Sequence, residues 1–251
     1  MTKLGLQLYT VRQDAERDLF GTMRRVAGMG YTGVEFAGGI RRLATADDLR
    51  RVLDETGLEV AGAVFGYDEL QQEFSAIASY CQVIGCPTIV IPWIDEKLRP
   101  DAAGWQAVAA GFNSIAAAAR VEGMQLLYHV HGFEFTDVDG RKGMDWLTLT
   151  CDHDLVKLEI DVYWVEYAGV DAVSFMRKHA DWCAAIHFKD MVDRTTKQDV
   201  EVGGGCIDMR TIARIGEEHA VPWFIVEQEQ FTMPPIESVA ISLRNLRQIV
   251  G

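Results

Sequence analysis

One rhythm constrains this chain more than any other feature: short runs rich in Val, Ile, Leu and Phe alternate with longer amphipathic stretches along all 251 residues. Strands are read at residues 4–8, 33–36, 59–64, 88–91, 125–129, 158–161, 185–188 and 223–227. Helices are read at about 14–29, 45–56, 69–84, 102–120, 172–179, 208–219 and 236–249, and the loop between the fifth and sixth strands has room for a short one. Thr45, three residues before Asp48, is the expected N-cap of the second helix. Strands joined by helices of this length make parallel βαβ units, because a parallel pair needs a long crossover. Eight such units in roughly 250 residues close into a barrel. An open doubly wound sheet would carry a glycine-rich phosphate turn after its first strand, and Gln7-Leu8-Tyr9-Thr10 is not one. The expected fold class is therefore α/β, a single-domain (β/α)8 TIM barrel over residues 1–251. No linker, low-complexity tract or internal repeat divides it.

The hydrophobic share of 49% suffices for a large core, and the formal net charge is −13. That charge argues against nucleic acid as a partner, since duplex binding needs a cationic face that displaces counterions. No run approaches the roughly 20 apolar residues of a membrane span, and the N-terminus lacks the apolar run and small-residue cleavage site of a signal peptide. Five scattered cysteines without a CxxC pair fit reduced thiols and a cytoplasmic location. A homo-oligomer is left open.

In a parallel barrel the functional groups gather at the C-terminal ends of the strands. Here those ends carry Gln7 and Tyr9, Glu35, His129 and His131 with Glu134 just beyond, Glu159 and Asp161, His187 with Lys189 and Asp190, and Glu227 with Glu229. Carboxylates and imidazoles recurring at one end of successive strands suit one divalent metal ion, Mn²⁺, Zn²⁺, Co²⁺ or Mg²⁺, and the histidine weighs against Ca²⁺. Asp161 follows an apolar strand, where a charge is costly unless paired or metal-bound. Glu227 and Glu229 share one side of their strand, so one suits a ligand and the other a substrate contact. His129 and His131 share a side likewise, with one of the two expected to be structural. Gly203-Gly204-Gly205 reads equally as a phosphate cradle of backbone N–H groups or as a flexible loop. Trp93, Trp105 and Trp164 could stack on a sugar ring, with core packing the default for each.

At these residues the sequence resembles the sugar phosphate isomerase/epimerase family, the xylose isomerase-like barrels that also include inosose dehydratases, ketose 3-epimerases and an endonuclease branch. The segments that carry the resemblance are residues 6–12, 33–36, 128–135, 159–161, 187–190 and 226–229, together with the closing 242–246. It extends over essentially the whole chain and implies a metal held by an acidic residue after strand five, an Asp after strand six, a His after strand seven and a Glu after strand eight. The last three correspond to Asp161, His187 and Glu227. For the first, the expectation is Glu134, with His129 as the alternative. The chain departs from the pattern at Val64, where relatives often carry a His, and at Gly204, where a Glu is common.

The activity this resemblance implies is metal-dependent isomerisation or epimerisation of a ketose or keto-sugar, by proton abstraction next to a carbonyl. Glu134 and Glu227 are then the expected acid and base, with Lys189 neutralising the oxyanion. Tyr9, Glu35, His129, His131, Trp164 and Glu229 are the expected contacts to a small carbohydrate substrate. The alternative is a dehydratase or lyase on a keto-inositol or 3-keto-glycoside. An endonuclease-like barrel and a non-catalytic sugar-binding barrel stand further off.

Overall fold

In the computed structural model, which describes residues 2–251, the apolar runs become β1 (Lys3–Gln7), β2 (Gly33–Phe36), β3 (Glu59–Val64), β4 (Thr88–Ile91), β5 (Gln125–Val130), β6 (Val156–Asp161), β7 (Cys183–Phe188) and β8 (Trp223–Val226). Neighbours pair in parallel and in chain order. β1 closes onto β8, with Leu6 opposite Val34 on one side and Val226 on the other. The expected closed eight-stranded barrel is therefore the fold.

Both faces of every strand are covered, which is why these segments read as apolar runs rather than strict alternations. Their outward faces pack beneath the helices in one large core. Their inward faces form a small interior cluster of Ala61, Val64, Val90, Leu127, Ala185, Trp223 and Ile225. Trp223 fills the end away from the strand C-termini. A Cβ at Gly33 would lie 2.5 Å from its ring and 2.7 Å from the Glu59 carbonyl, so position 33 must lack a side chain.

The shell contains α1 (Arg12–Arg17), α2 (Leu19–Met29), α3 (Ile40–Leu43), α4 (Ala46–Thr56), α5 (Tyr67–Ile84), α6 (Ala102–Val121), α7 (Gly143–Thr150), α8 (Val162–Tyr167), α9 (Ala172–His179), α10 (Met209–Glu218) and α11 (Pro235–Val250). Thr45 caps α4 as its spacing predicts, its hydroxyl accepting from the Asp48 N–H at 3.2 Å. The single helix read at 14–29 is two. Asp18 has φ −155° and its carboxylate accepts from the Gly21 N–H at 2.9 Å, capping α2 where one continuous helix was expected. β1 ends before Leu8 because the Gln7 side-chain oxygen accepts from the Tyr9 N–H at 2.9 Å and opens a 3-10 turn over Leu8–Val11. Two antiparallel pairs of two-residue strands, Asp137–Val138 with Arg141–Lys142 and Asp190–Met191 with Asp199–Val200, extend the loops after β5 and β7. The five cysteines are free, four of them buried. Among the described residues no helix is long and apolar enough to cross a membrane.

Candidate metal centre

The C-terminal mouth of the barrel holds a cavity of about 450 Å³, lined at its base by polar residues from the strand ends. Gln7, Glu35, His129, Glu159, Asp161, His187 and Glu227 are all less than a tenth exposed. Strand alternation turns Glu159 and Asp161 to the same inner face. Register shifts lie just before Glu35 and just before Glu159, and such irregularities re-aim the side chains that follow. Pairing sets His129 opposite Glu159 and Asp161 opposite His187.

The hydrogen bonds fix which nitrogen of His129 is free. His129 Nδ1 lies 2.8 Å from Glu159 Oε2, a carboxylate that can only accept, so Nδ1 carries the proton. Its Nε2 faces Asp161 Oδ2 at 3.9 Å. His187 Nε2 lies 2.9 Å from Glu35 Oε1 and 3.3 Å from Glu159 Oε2, and so donates between two carboxylates. Its Nδ1 stands 3.0 Å from Glu227 Oε2. Glu159 thus orients both rings. Gln7 Nε2 donates to Glu35 and holds that carboxylate in turn.

His129 Nε2 and His187 Nδ1 face two further carboxylates. Ligand atoms of His129, Asp161, His187 and Glu227 all lie within 4.8 Å of one another, on four buried residues. Asp161 Oδ1 caps α8, accepting from the N–H groups of Tyr163 at 2.8 Å and Trp164 at 3.2 Å. Its Oδ2 is buried without a partner. Four carboxylates crowd this space, and the one fully buried ammonium near them is Lys189. Burial, then the Glu159 charge, pushes the Glu35 pKa up to about 8. Burial drives Asp161 well above the carboxylate range. Burial pulls His187 down, but Glu159, Glu35 and Glu227 outweigh it and hold the ring well above the ordinary imidazole value. Excess buried negative charge, an orphaned carboxylate oxygen and two His with two carboxylates within reach all fit a divalent cation such as Zn²⁺, Mn²⁺ or Co²⁺.

The expected fourth member, Glu134, is not at this cluster; His129 stands there instead. The chain turns at Gly132 into a 3-10 turn, Phe133–Phe135, which folds Glu134 back beneath the strand end. There its carboxylate accepts from Tyr128 Oη at 2.5 Å and from the His131 N–H at 3.0 Å, and burial raises its pKa to about 7. It is absent from the cavity lining, so neither metal contact nor acid–base chemistry follows from its place.

Of the other expected contacts, Tyr9, His131, Trp164 and Glu229 line the cavity. Glu35 sits lower, held by Gln7 and His187. Lys189 is fully buried, paired with Glu229, its ammonium 4.8 Å from the Tyr163 ring centre and 4.9 Å from that of Trp164. Burial lowers its pKa, but Glu227, Asp161, Glu229 and Asp199 outweigh it, so the ammonium keeps its charge. Burial brings His131 down to about 2, and its Nδ1 is buried without a partner. Trp93 is half-exposed on the rim, whereas Trp105 is fully buried core. The glycine triplet is no phosphate cradle. The Asp190 carboxylate already accepts from the N–H groups of Gly203 at 2.9 Å, Gly205 at 3.1 Å and Ile207 at 3.3 Å. Glu159 was noted at its strand end but given no role in the site. Its signal was present, two positions before Asp161 on the same face.

A family model described as "xylose isomerase-like TIM barrel" matches residues 23–249. An inosose dehydratase from Clostridium beijerinckii is 26% identical over 241 residues, covering 80% of this chain and 78% of that protein. A sugar phosphate isomerase/epimerase structure from Parabacteroides distasonis superposes with a TM-score of 0.84 at 21% identity, over 100% of this chain and 96% of that one. A structure of the protein IolI with a zinc atom superposes at 0.81 with 16% identity, over 99% and 98% of the two chains.

Proposed function

Because the chain belongs to the xylose isomerase-like TIM barrel family, we propose that it is a metal-dependent lyase that eliminates water or an alcohol next to the carbonyl of a cyclic keto-sugar or keto-inositol. The observation that carries this reading is the buried set His129, Asp161, His187 and Glu227, in a chain whose curated relatives by sequence are named inosose dehydratases. The isomerase or epimerase expectation gives way on the same ground. The isomerase and epimerase structures on which the chain superposes are 16–21% identical to it, a likeness of fold alone.

His129, Asp161, His187 and Glu227 would hold the ion. When bound, it supplies positive charge that polarises the substrate carbonyl and acidifies the neighbouring C–H. His131 is the group assigned to take that proton. It lines the cavity, and its ring centre lies 4.6 Å from that of His129, beside the proposed ion. Once protonated, it can return the proton to the departing oxygen. Lys189, buried and paired with Glu229, keeps its ammonium and offsets the charge of Glu227 and Asp161.

The test is to load the protein with Zn²⁺, Mn²⁺ or Co²⁺, supply a keto-inositol and weigh the product. The product should be one water lighter than the substrate, and chelated protein should yield none. His131→Asn should keep its metal while the rate falls about 10²–10⁴-fold, the usual contribution of a general base. A product of unchanged mass would restore the isomerase reading.

A further inference from the structure

A second cavity, of about 420 Å³, adjoins the metal cavity. His131 and Trp164 line both and are all that the two linings share. Beyond them the second space is bounded by Gly132, Phe133, Phe135 and Tyr167, almost without charge. Its volume lies within the range of small-molecule sites, and such sites are largely apolar with a few polar groups that fix orientation. His131 and Trp164 thus form the shared wall of the two spaces, and a ligand that reaches past them from the metal cavity enters the second.

We infer that the second cavity binds a six-membered ring carried through oxygen on the reacting sugar, so that the natural substrate is a keto-glycoside rather than a free keto-inositol. This rests on the lyase reading and names its leaving group. Flat aromatic walls suit the apolar face of a pyranose or an aryl ring. The elimination balances without an oxidant or reductant. His131 takes the proton next to the carbonyl, and the C–H electron pair becomes the new C=C bond. The C–O bond to the ring breaks, and its oxygen leaves with the bonding pair and receives the proton from His131. The products are an unsaturated ketone and an alcohol.

Gly132 offers a way to fill this cavity. Its φ of −87° suits any residue, and an added Cβ would meet Trp164 and Tyr167 at 3.6–3.8 Å, ordinary contact distances. Calorimetry on the metal-loaded protein would compare phenyl glucoside, a glucosyl disaccharide and methyl glucoside, none of which has a carbonyl and none of which can react. The phenyl or glucosyl compound should bind at least ~10-fold more tightly than the methyl compound. Gly132→Leu should remove that advantage, and Gly132→Ala should reduce it. Which of the two ring-bearing ligands gains more tells an aryl from a sugar leaving group. Equal binding of all three, no binding by any, or an equal loss for all three in Gly132→Leu would overturn the subsite. If the advantage is present but a keto-phenyl glucoside is not cleaved, the lyase reading falls and the subsite stands.

Discussion

Glu159 shows at the scale of one residue how a side chain can orient the members of a candidate metal centre without being one of them. A single carboxylate oxygen accepts from His129 Nδ1 at 2.8 Å and lies 3.3 Å from His187 Nε2, so one side chain selects the His129 tautomer and helps to orient His187. Glu159→Ala should therefore weaken Zn²⁺ or Mn²⁺ binding about 10–100-fold, the usual cost of losing such a partner, with the fold retained. Glu159→Gln should cost less, because an amide oxygen still accepts from His129. Calorimetric affinities for the three proteins check this, and an unchanged affinity in the alanine variant contradicts it. Residues of this kind were only half legible. Asp161, His187 and Glu227 could be named because function collects at strand ends and the family resemblance singles out those three positions among them. Glu159 stands at such an end too, yet nothing in a sequence says which histidines a carboxylate will face across a barrel. Glu134, expected from the resemblance with His129 as the alternative, lies apart because the 3-10 turn at Phe133–Phe135 commits its oxygens to Tyr128 and His131.

At the scale of elements, a few carboxylates and one histidine decide how loops and helices sit. Asp190 gathers the N–H groups of Met191, Gly203, Gly205 and Ile207, and so fastens the loop after β7 beside Lys189. Asp190→Ala would leave those donors to water or to nothing, and should cost about 2–4 kcal/mol in denaturant unfolding. A loss below measurement error would mean that the loop is held by other contacts. His179, the last residue of α9, packs against Phe175 and Trp182 with its Nε2 unpartnered. Burial, with smaller contributions from Lys178 and His153, lowers its pKa from 6.5 to about 4. The folded chain therefore binds this proton less readily than the unfolded chain. Its neutral form supports the fold fully above about 6.5, and that support is lost as pH falls toward 4. Unfolding midpoints between pH 7 and 4.5 should drop less steeply in His179→Leu than in the parent, and parallel curves would contradict the assignment. Element boundaries were legible where a cap is local, as at Thr45. They were missed where a residue inside a helical pattern turns out to be a cap, as at Asp18, or where pairing is only two residues long, as in the strands of the loops after β5 and β7.

The whole molecule was the most legible level. Eight apolar runs separated by helices leave little choice but a closed parallel barrel, since each run must be covered on both faces. Closure does what no local motif can. It brings residues 35, 129, 159, 161, 187 and 227, scattered over most of the chain, around one buried point, with His187 bridging Glu35 on β2 and Glu227 just past β8. The sequence shows that such residues lie at strand ends; the register of the strands decides which of them meet, and the register is set by packing. The measurement that tests this account most directly is anomalous diffraction at the zinc edge from crystals of the zinc-loaded protein. It should show one ion at about 2.0–2.3 Å from His129 Nε2, Asp161 Oδ2, His187 Nδ1 and a carboxylate oxygen of Glu227, the distances usual for zinc. An ion held by Glu134 with His129 turned away, or no ion at the mouth of the barrel, would contradict it.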